Sequence, residues 1–191
     1  MNDNDFWKWR DKSAKILTGS EQFVSEQGDA IAQVSDFWRW SGSNLLDNTY
    51  RGMLAEFLVA RALNLDSISR AEWGLYDLLY NDIKIEVKSS AYIQSWEQET
   101  PYSPRFDIHQ SVTNGKRMSD IYVFCLLNEK NRVAINPLDL NQWDFYIAKT
   151  SVIDTTFDNQ KSVALSVVEP ICVHTKFNGI KQAIDLAAEI A

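Results

Sequence analysis

Several things that would define other protein classes are scarce or absent in this sequence of 191 residues. There are two cysteines, Cys125 and Cys172, far apart and each within an apolar run (Val123 to Leu127; Ile171 to Val173). That count excludes a disulfide framework, and the spacing is neither that of a zinc site nor that of a redox pair, so both are expected as buried free thiols. The seven glycines and four prolines are scattered, with no linker, repeat or low-complexity tract, which leaves a single domain over 1–191. No apolar run nears the ~20 residues that span a bilayer, and Met-Asn-Asp-Asn-Asp is acidic where a signal peptide is basic. A cytoplasmic chain with no membrane partner is therefore expected. Basic residues are also in the minority, with 19 Lys and Arg against 26 Asp and Glu and a net charge of -7, which speaks against a general polyanion binder.

The 45% hydrophobic content is enough for a compact core. Residues 5–47 carry Trp7, Trp9, Trp38 and Trp40, with Lys8, Arg10, Lys12 and Lys15 early on, and read as an N-terminal helical segment (1–47) covering the core. Residues 49–63 (TYRGMLAEFLVARAL) are helical and apolar around their circumference, so that helix should be largely buried, with Asn48 or Thr49 as its cap. Two strand-like runs follow, Tyr76 to Tyr80 and Ile83 to Ser90, divided by Asn81-Asp82, residue types that accept the positive φ of a tight hairpin. Residues 97–118, with Pro101, Pro104 and Asn114-Gly115, have no sustained period and read as a long loop. Asp120 to Leu127, Val133 to Ile135 and Trp143 to Ala148 look like core strands, and Lys176 to Ile190 like an amphipathic closing helix. The order predicts an α/β layered domain with a core over 48–150 and a strand and helix closure over 151–191.

A two-residue turn at Asn81-Asp82 sets Tyr80 opposite Ile83, Leu79 opposite Lys84, Leu78 opposite Ile85 and Asp77 opposite Glu86. Alternation then puts Leu78, Tyr80, Ile83, Ile85 and Val87 on a core face, and Asp77, Leu79, Lys84, Glu86 and Lys88 on the other. Facing carboxylates have Cβ atoms only ~5 Å apart and repel, so something should compensate them. A hard divalent cation would, with oxygens of Asp77, Glu86 and an intervening carbonyl at ~2.1 Å. Lys88 points the same way and could place or deprotonate a water, or neutralise a phosphate. Glu56, among uncharged helical neighbours, needs either a basic partner or a polar site to face.

Glu56 on a helix, Asp77, then Glu86-Val87-Lys88 resembles the signature of the PD-(D/E)XK nuclease superfamily. The likeness covers residues 49–96, in a layout similar to archaeal Holliday junction resolvases. It implies a restriction-endonuclease-like α/β/α core with a four-stranded central mixed sheet, and Mg²⁺-dependent hydrolysis of nucleic-acid phosphodiesters, with DNA as the expected substrate and Mn²⁺ as a substitute metal. Carried over, Asp77, Glu86 and the Val87 carbonyl would be metal ligands, Lys88 the water-activating group and Glu56 an outer ligand. Products would be a 5′-phosphate and a 3′-hydroxyl. Tyr76 stands where the family name has proline. Gln94 in AYIQSW is similar to a glutamine that some branches place after the lysine.

An E-x-K triplet alone is also what a solvated strand face with cross-strand ion pairs looks like; the conjunction with Asp77 and Glu56 lifts the signal. Arg105, Lys116 and Arg117 in the long loop could grip a phosphate backbone, or simply be solvated. His109 and His174 are set aside as structural. A homodimer would supply the two sites that cutting both strands takes. Two rival readings remain: a catalytically inactive nuclease-fold module that binds nucleic acid or a protein, and a protein partner using the tryptophan-rich N-terminal segment as its interface. The net charge fits the nuclease reading if Asp77, Glu86 and Glu56 share one pocket where a cation cancels them.

Overall fold

The computed structural model describes residues 16–65, 70, 74–108, 117–157 and 160–189. Trp7, Trp9, the early basic cluster, His109 and Lys116 lie outside the described residues.

The centre is a five-stranded mixed sheet in the order β3-β4-β6-β7-β9. β3 (Leu78–Tyr80) and β4 (Ile83–Ala91) are antiparallel, β6 (Ile121–Leu127) runs parallel to β4, and β7 (Trp143–Lys149) and β9 (Val173–Thr175) continue antiparallel. Every residue of β6, IYVFCLL, is buried, as a central strand covered on both faces requires. Helix α2 (Asn48–Ala62) and helix α4 (Ile180–Ala188) cover one face, packing Ala55, Leu58, Val59, Ile180 and Ile184 against Ile85, Val87, Val123 and Phe145. The other face is covered by Phe106, Ile108, Val163 and Val168, together with Ile153 and Phe157 of α3 (Thr150–Phe157), over Tyr122, Phe124 and Tyr146. Each of these large side chains, fully buried, contributes about 1.5–3 kcal/mol. The result is the expected α/β architecture with a mixed central sheet, with five strands where the resemblance implied four.

The hairpin register is as the alternation predicts: Leu78 pairs with Ile85, Leu79 with Lys84 and Tyr80 with Ile83. Asn81 (φ 47°) and Asp82 (φ 65°) both take the left-handed conformation of a type I′ turn. Helix α2 forms where expected, but its cap is Asp47, whose Oδ1 accepts from the Thr49 amide at 2.9 Å.

Other expectations need correction. Among the described residues of the N-terminal segment, helix is confined to α1 (Val34–Gly42); residues 22–33 form a hairpin of β1 (Gln22–Val24) and β2 (Ala30–Gln33), turned at Gly28 with φ 86°. Trp38 and Trp40 sit on α1, and Trp40 is 84% exposed, so neither is a core cover. The stretch 97–118 is not all loop: β5 (Arg105–Asp107) pairs antiparallel with β8 (Ser162–Ala164), a partner too distant in sequence for local pattern to reveal. Val133 to Ile135 is a turn rather than a strand, because the Asn131 side chain and carbonyl capture the amides of Val133, Ala134 and Ile135. Cys125 is buried, whereas Cys172 is only half-buried; both thiols are free.

Candidate active site

The β3–β4 ladder ends at the Leu78–Ile85 pair, and there the chain before β3 turns onto β4 through side-chain chemistry. The Asp77 amide donates to the Ile85 carbonyl at 3.0 Å, and Asp77 Oδ2 accepts from the Val87 amide at 2.7 Å. Asp77 is thereby fixed beside Glu86, close to the facing arrangement the register predicts. Burial pushes its carboxyl up to about 7, and the charges of Glu86 and Glu56 push the same way, against the Val87 hydrogen bond and Lys88. Two further acids therefore bear on Asp77, from β4 and from α2.

Each of those two acids has a cation. Lys88 Nζ is 2.6 Å from Glu86 Oε1, one strand period along β4. Burial disfavours the Lys88 ammonium, yet Glu86 and Asp77 outweigh it and hold its pKa above the usual value. Arg70 grips Glu56 with both ends of its fork, Nε to Oε2 at 2.5 Å and Nη2 to Oε1 at 2.8 Å. The basic partner that Glu56 requires thus comes from the connection after α2. Asp77 and Glu56 also both bear on Cys125 on β6, whose thiol burial already pushes well up. On the opposite face Tyr122 has its hydroxyl pushed up by burial and by Glu86.

These groups are hard oxygen donors with one unrelieved carboxyl among them, the donor set and charge deficit a divalent cation suits. Asp77, Glu86 and the Val87 carbonyl are the oxygens that would hold such a cation, while Glu56 is engaged by Arg70. Among the described residues, no group of three or more His, Cys, Asp or Glu side chains is gathered as a ready-made metal cluster.

The tentative substrate contacts divide. Gln94 is buried and fully engaged: its amide nitrogen donates to the Ala91 carbonyl at 2.7 Å and its oxygen accepts from Arg51 Nη1 at 3.3 Å. Arg105 is exposed on β5 and leans on Ser162, with Nη2 to Oγ at 3.0 Å. Arg117 is not a solvated loop cation: it is buried, ion-paired with Asp154 and hydrogen-bonded to the Ile108 carbonyl, so it ties the loop to α3. His174 hydrogen-bonds Asp144 at 2.8 Å and stacks on Tyr146, remote from Asp77 along the sheet order.

Sequence reasoning passed over a cavity of about 350 Å³ beside β4, with Arg51, Ser89, Ser90, Gln94, Trp96 and Arg105 on its wall. The available signal was Arg51 itself, a charged residue on a helix that has to bury most of its surface.

A model of the bacteriophage T4 endonuclease IV family matches residues 3–167. No curated protein and no solved structure matches the chain.

Proposed function

Because the chain belongs to the bacteriophage T4 endonuclease IV family, we propose that it is a metal-dependent DNA endonuclease of the PD-(D/E)XK type that uses Asp77, Glu86, Lys88 and Glu56. The observation that carries this reading is the Asp77 carboxyl, held beside Glu86 by the Val87 amide and raised to about 7 by burial and two neighbouring acids. Such a site stores a deficit of positive charge at one point, as sites for cations and phosphates do. Bound by Asp77, Glu86 and the Val87 carbonyl, Mg²⁺ or Mn²⁺ would polarise the scissile phosphate and acidify a water. The Val87 amide fixes one Asp77 oxygen, so the other is the one that would meet the cation. Lys88, its ammonium kept charged by Glu86, orients the attacking water and offsets charge on the phosphate. Arg70 neutralises Glu56, so that the helix acid does not repel the substrate.

The test is cleavage of DNA with Mg²⁺, with and without chelator, by the native chain and by Glu86→Ala and Lys88→Ala. Expected are chelator-sensitive cutting and a fall of about 10²–10⁴-fold in each variant with unchanged circular dichroism. Undiminished metal-dependent turnover in either variant would overturn the assignment. A second reading, a nucleic-acid-binding module without turnover, is favoured by the pairing of Glu86 with Lys88 and of Glu56 with Arg70. DNA binding at low salt with no chelator-sensitive cutting would select it.

A further inference from the structure

The cavity lies on the continuation of β4 past Lys88. Ser89 and Ser90 on its wall directly follow that lysine, and at ~3.3 Å per residue Ser90 is ~7 Å farther along the strand. A substrate strand following β4 away from the catalytic acids would reach this cavity within a nucleotide or so.

The walls have the chemistry for such a visitor. Arg51 is 4% exposed, and among the described residues its hydrogen bonds go to neutral oxygens: Nη1 to the Leu46 carbonyl at 3.0 Å and to Gln94 Oε1, and Nη2 to Asn48 Oδ1 at 2.6 Å. Its Nε is buried with no partner. Asp47 bears on this guanidinium electrostatically, yet burial outweighs it and disfavours the charged form, so an anion in the adjoining space would relieve the remaining cost. Arg105 supplies a second, exposed cation, with Nε and Nη2 committed to Ser162. One acid, Asp107, is also on the wall, leaving two cations to one anion. Trp96 and Tyr102 complete the lining, 53% and 42% exposed. Their backbones are tied down: Arg132 Nη2 donates to the Trp96 carbonyl at 2.5 Å, and the Tyr102 amide donates to the Tyr92 carbonyl at 2.7 Å. Exposed aromatics on a fixed backbone beside paired arginines form a stacking surface next to a phosphate contact. The volume lies within the ~300–1,000 Å³ of pockets that enclose small ligands.

We propose that this cavity is a nucleotide subsite, holding one nucleotide of the substrate strand next to the scissile phosphodiester, with its phosphate toward Arg51 and Arg105 and its base against Trp96 and Tyr102. The proposal rests on the phosphodiesterase reading for its place along the strand. Its test is independent of turnover: the full chain, in chelator, is titrated calorimetrically with thymidine 5′-monophosphate, thymidine and inorganic phosphate. Thymidine 5′-monophosphate should bind saturably at millimolar concentration, with thymidine and phosphate each about tenfold weaker or more. Arg105→Gln and Trp96→Ala, both at exposed positions, should each weaken the nucleotide about tenfold or more with an unchanged far-UV spectrum, while Glu86→Ala retains it. No saturable nucleotide binding, equal affinity in Arg105→Gln and Trp96→Ala, or phosphate binding as tightly as the nucleotide would each overturn it. Cutting that survives in Glu86→Ala would instead sink the catalytic reading and leave this binding result standing.

Discussion

Asp77→Asn should make the metal-free protein more stable at alkaline pH. The Asp77 carboxyl lies at about 7 in the fold against 3.8 when unperturbed, raised by burial and then by Glu86 and Glu56. A raised carboxyl binds its proton more tightly folded than unfolded, so stability is greatest below about pH 4 and is lost as pH climbs through 7. The gap corresponds to about 4 kcal/mol at full ionisation. An asparagine carbonyl can still accept from Val87, but its buried NH₂ needs a partner, which costs about 1–2 kcal/mol. The net expectation at pH 8 is a gain of about 2 kcal/mol, or about 4–8 °C in Tm for a chain of this length. At pH 4, where the native carboxyl is already protonated, the advantage should vanish. Urea denaturation of both proteins in chelator at pH 4, 6 and 8 measures this directly. A difference independent of pH, or an asparagine variant less stable at pH 8, would refute the charge account of Asp77.

Removing the cation from Glu56 should act in the opposite sense. Arg70 is 39% exposed and Glu56 12%, so Arg70→Met is expected to cost roughly 1–2 kcal/mol, between the limits for exposed and buried pairs. Arg70→Met with Glu56→Gln should recover most of that in the same denaturation assay; an additive double variant would show the pair is not coupled. Away from the site, a Cβ at Gly179 would lie 2.1 Å from Thr175 Oγ1, although its backbone suits alanine. Gly179→Ala should therefore lower stability by about 1–3 kcal/mol, and Thr175→Ala in the same chain should restore at least half; no rescue would place the strain elsewhere.

The hairpin was legible from residue types alone. Asn81-Asp82 accept left-handed φ at little cost, and the apolar alternation on either side admits one register, so Leu78, Leu79 and Tyr80 meet Ile85, Lys84 and Ile83 as that alternation predicts, and Asp77, one residue beyond the ladder, is held by the Val87 amide. Strands β6 and β7 were legible as apolar runs, and α2 as an apolar helix. Val133 misled because β-branched residues suit strands, while the turn is set by one asparagine competing for three amides. The reach of Glu56 to Arg70, 14 residues away, carries no periodic signal.

What the sequence by itself determined is the short-range part: the type I′ turn, the register of the three pairs from Tyr80–Ile83 to Leu78–Ile85, the alternation that puts Glu86 and Lys88 on one side of β4, and the resemblance built on those residues. Each depends on the fixed alternation of a strand or the φ that a residue tolerates, and neither changes with distant partners. Tertiary structure alone decided how the charges are compensated. It paired Glu56 with Arg70, turned Arg117 inward onto Asp154, laid Arg105 on a strand whose partner is 57 residues on, and left Arg51 buried beside open space. The physical reason is that a charge settles where the whole fold lets it be solvated or paired, a condition that no local window of residues contains.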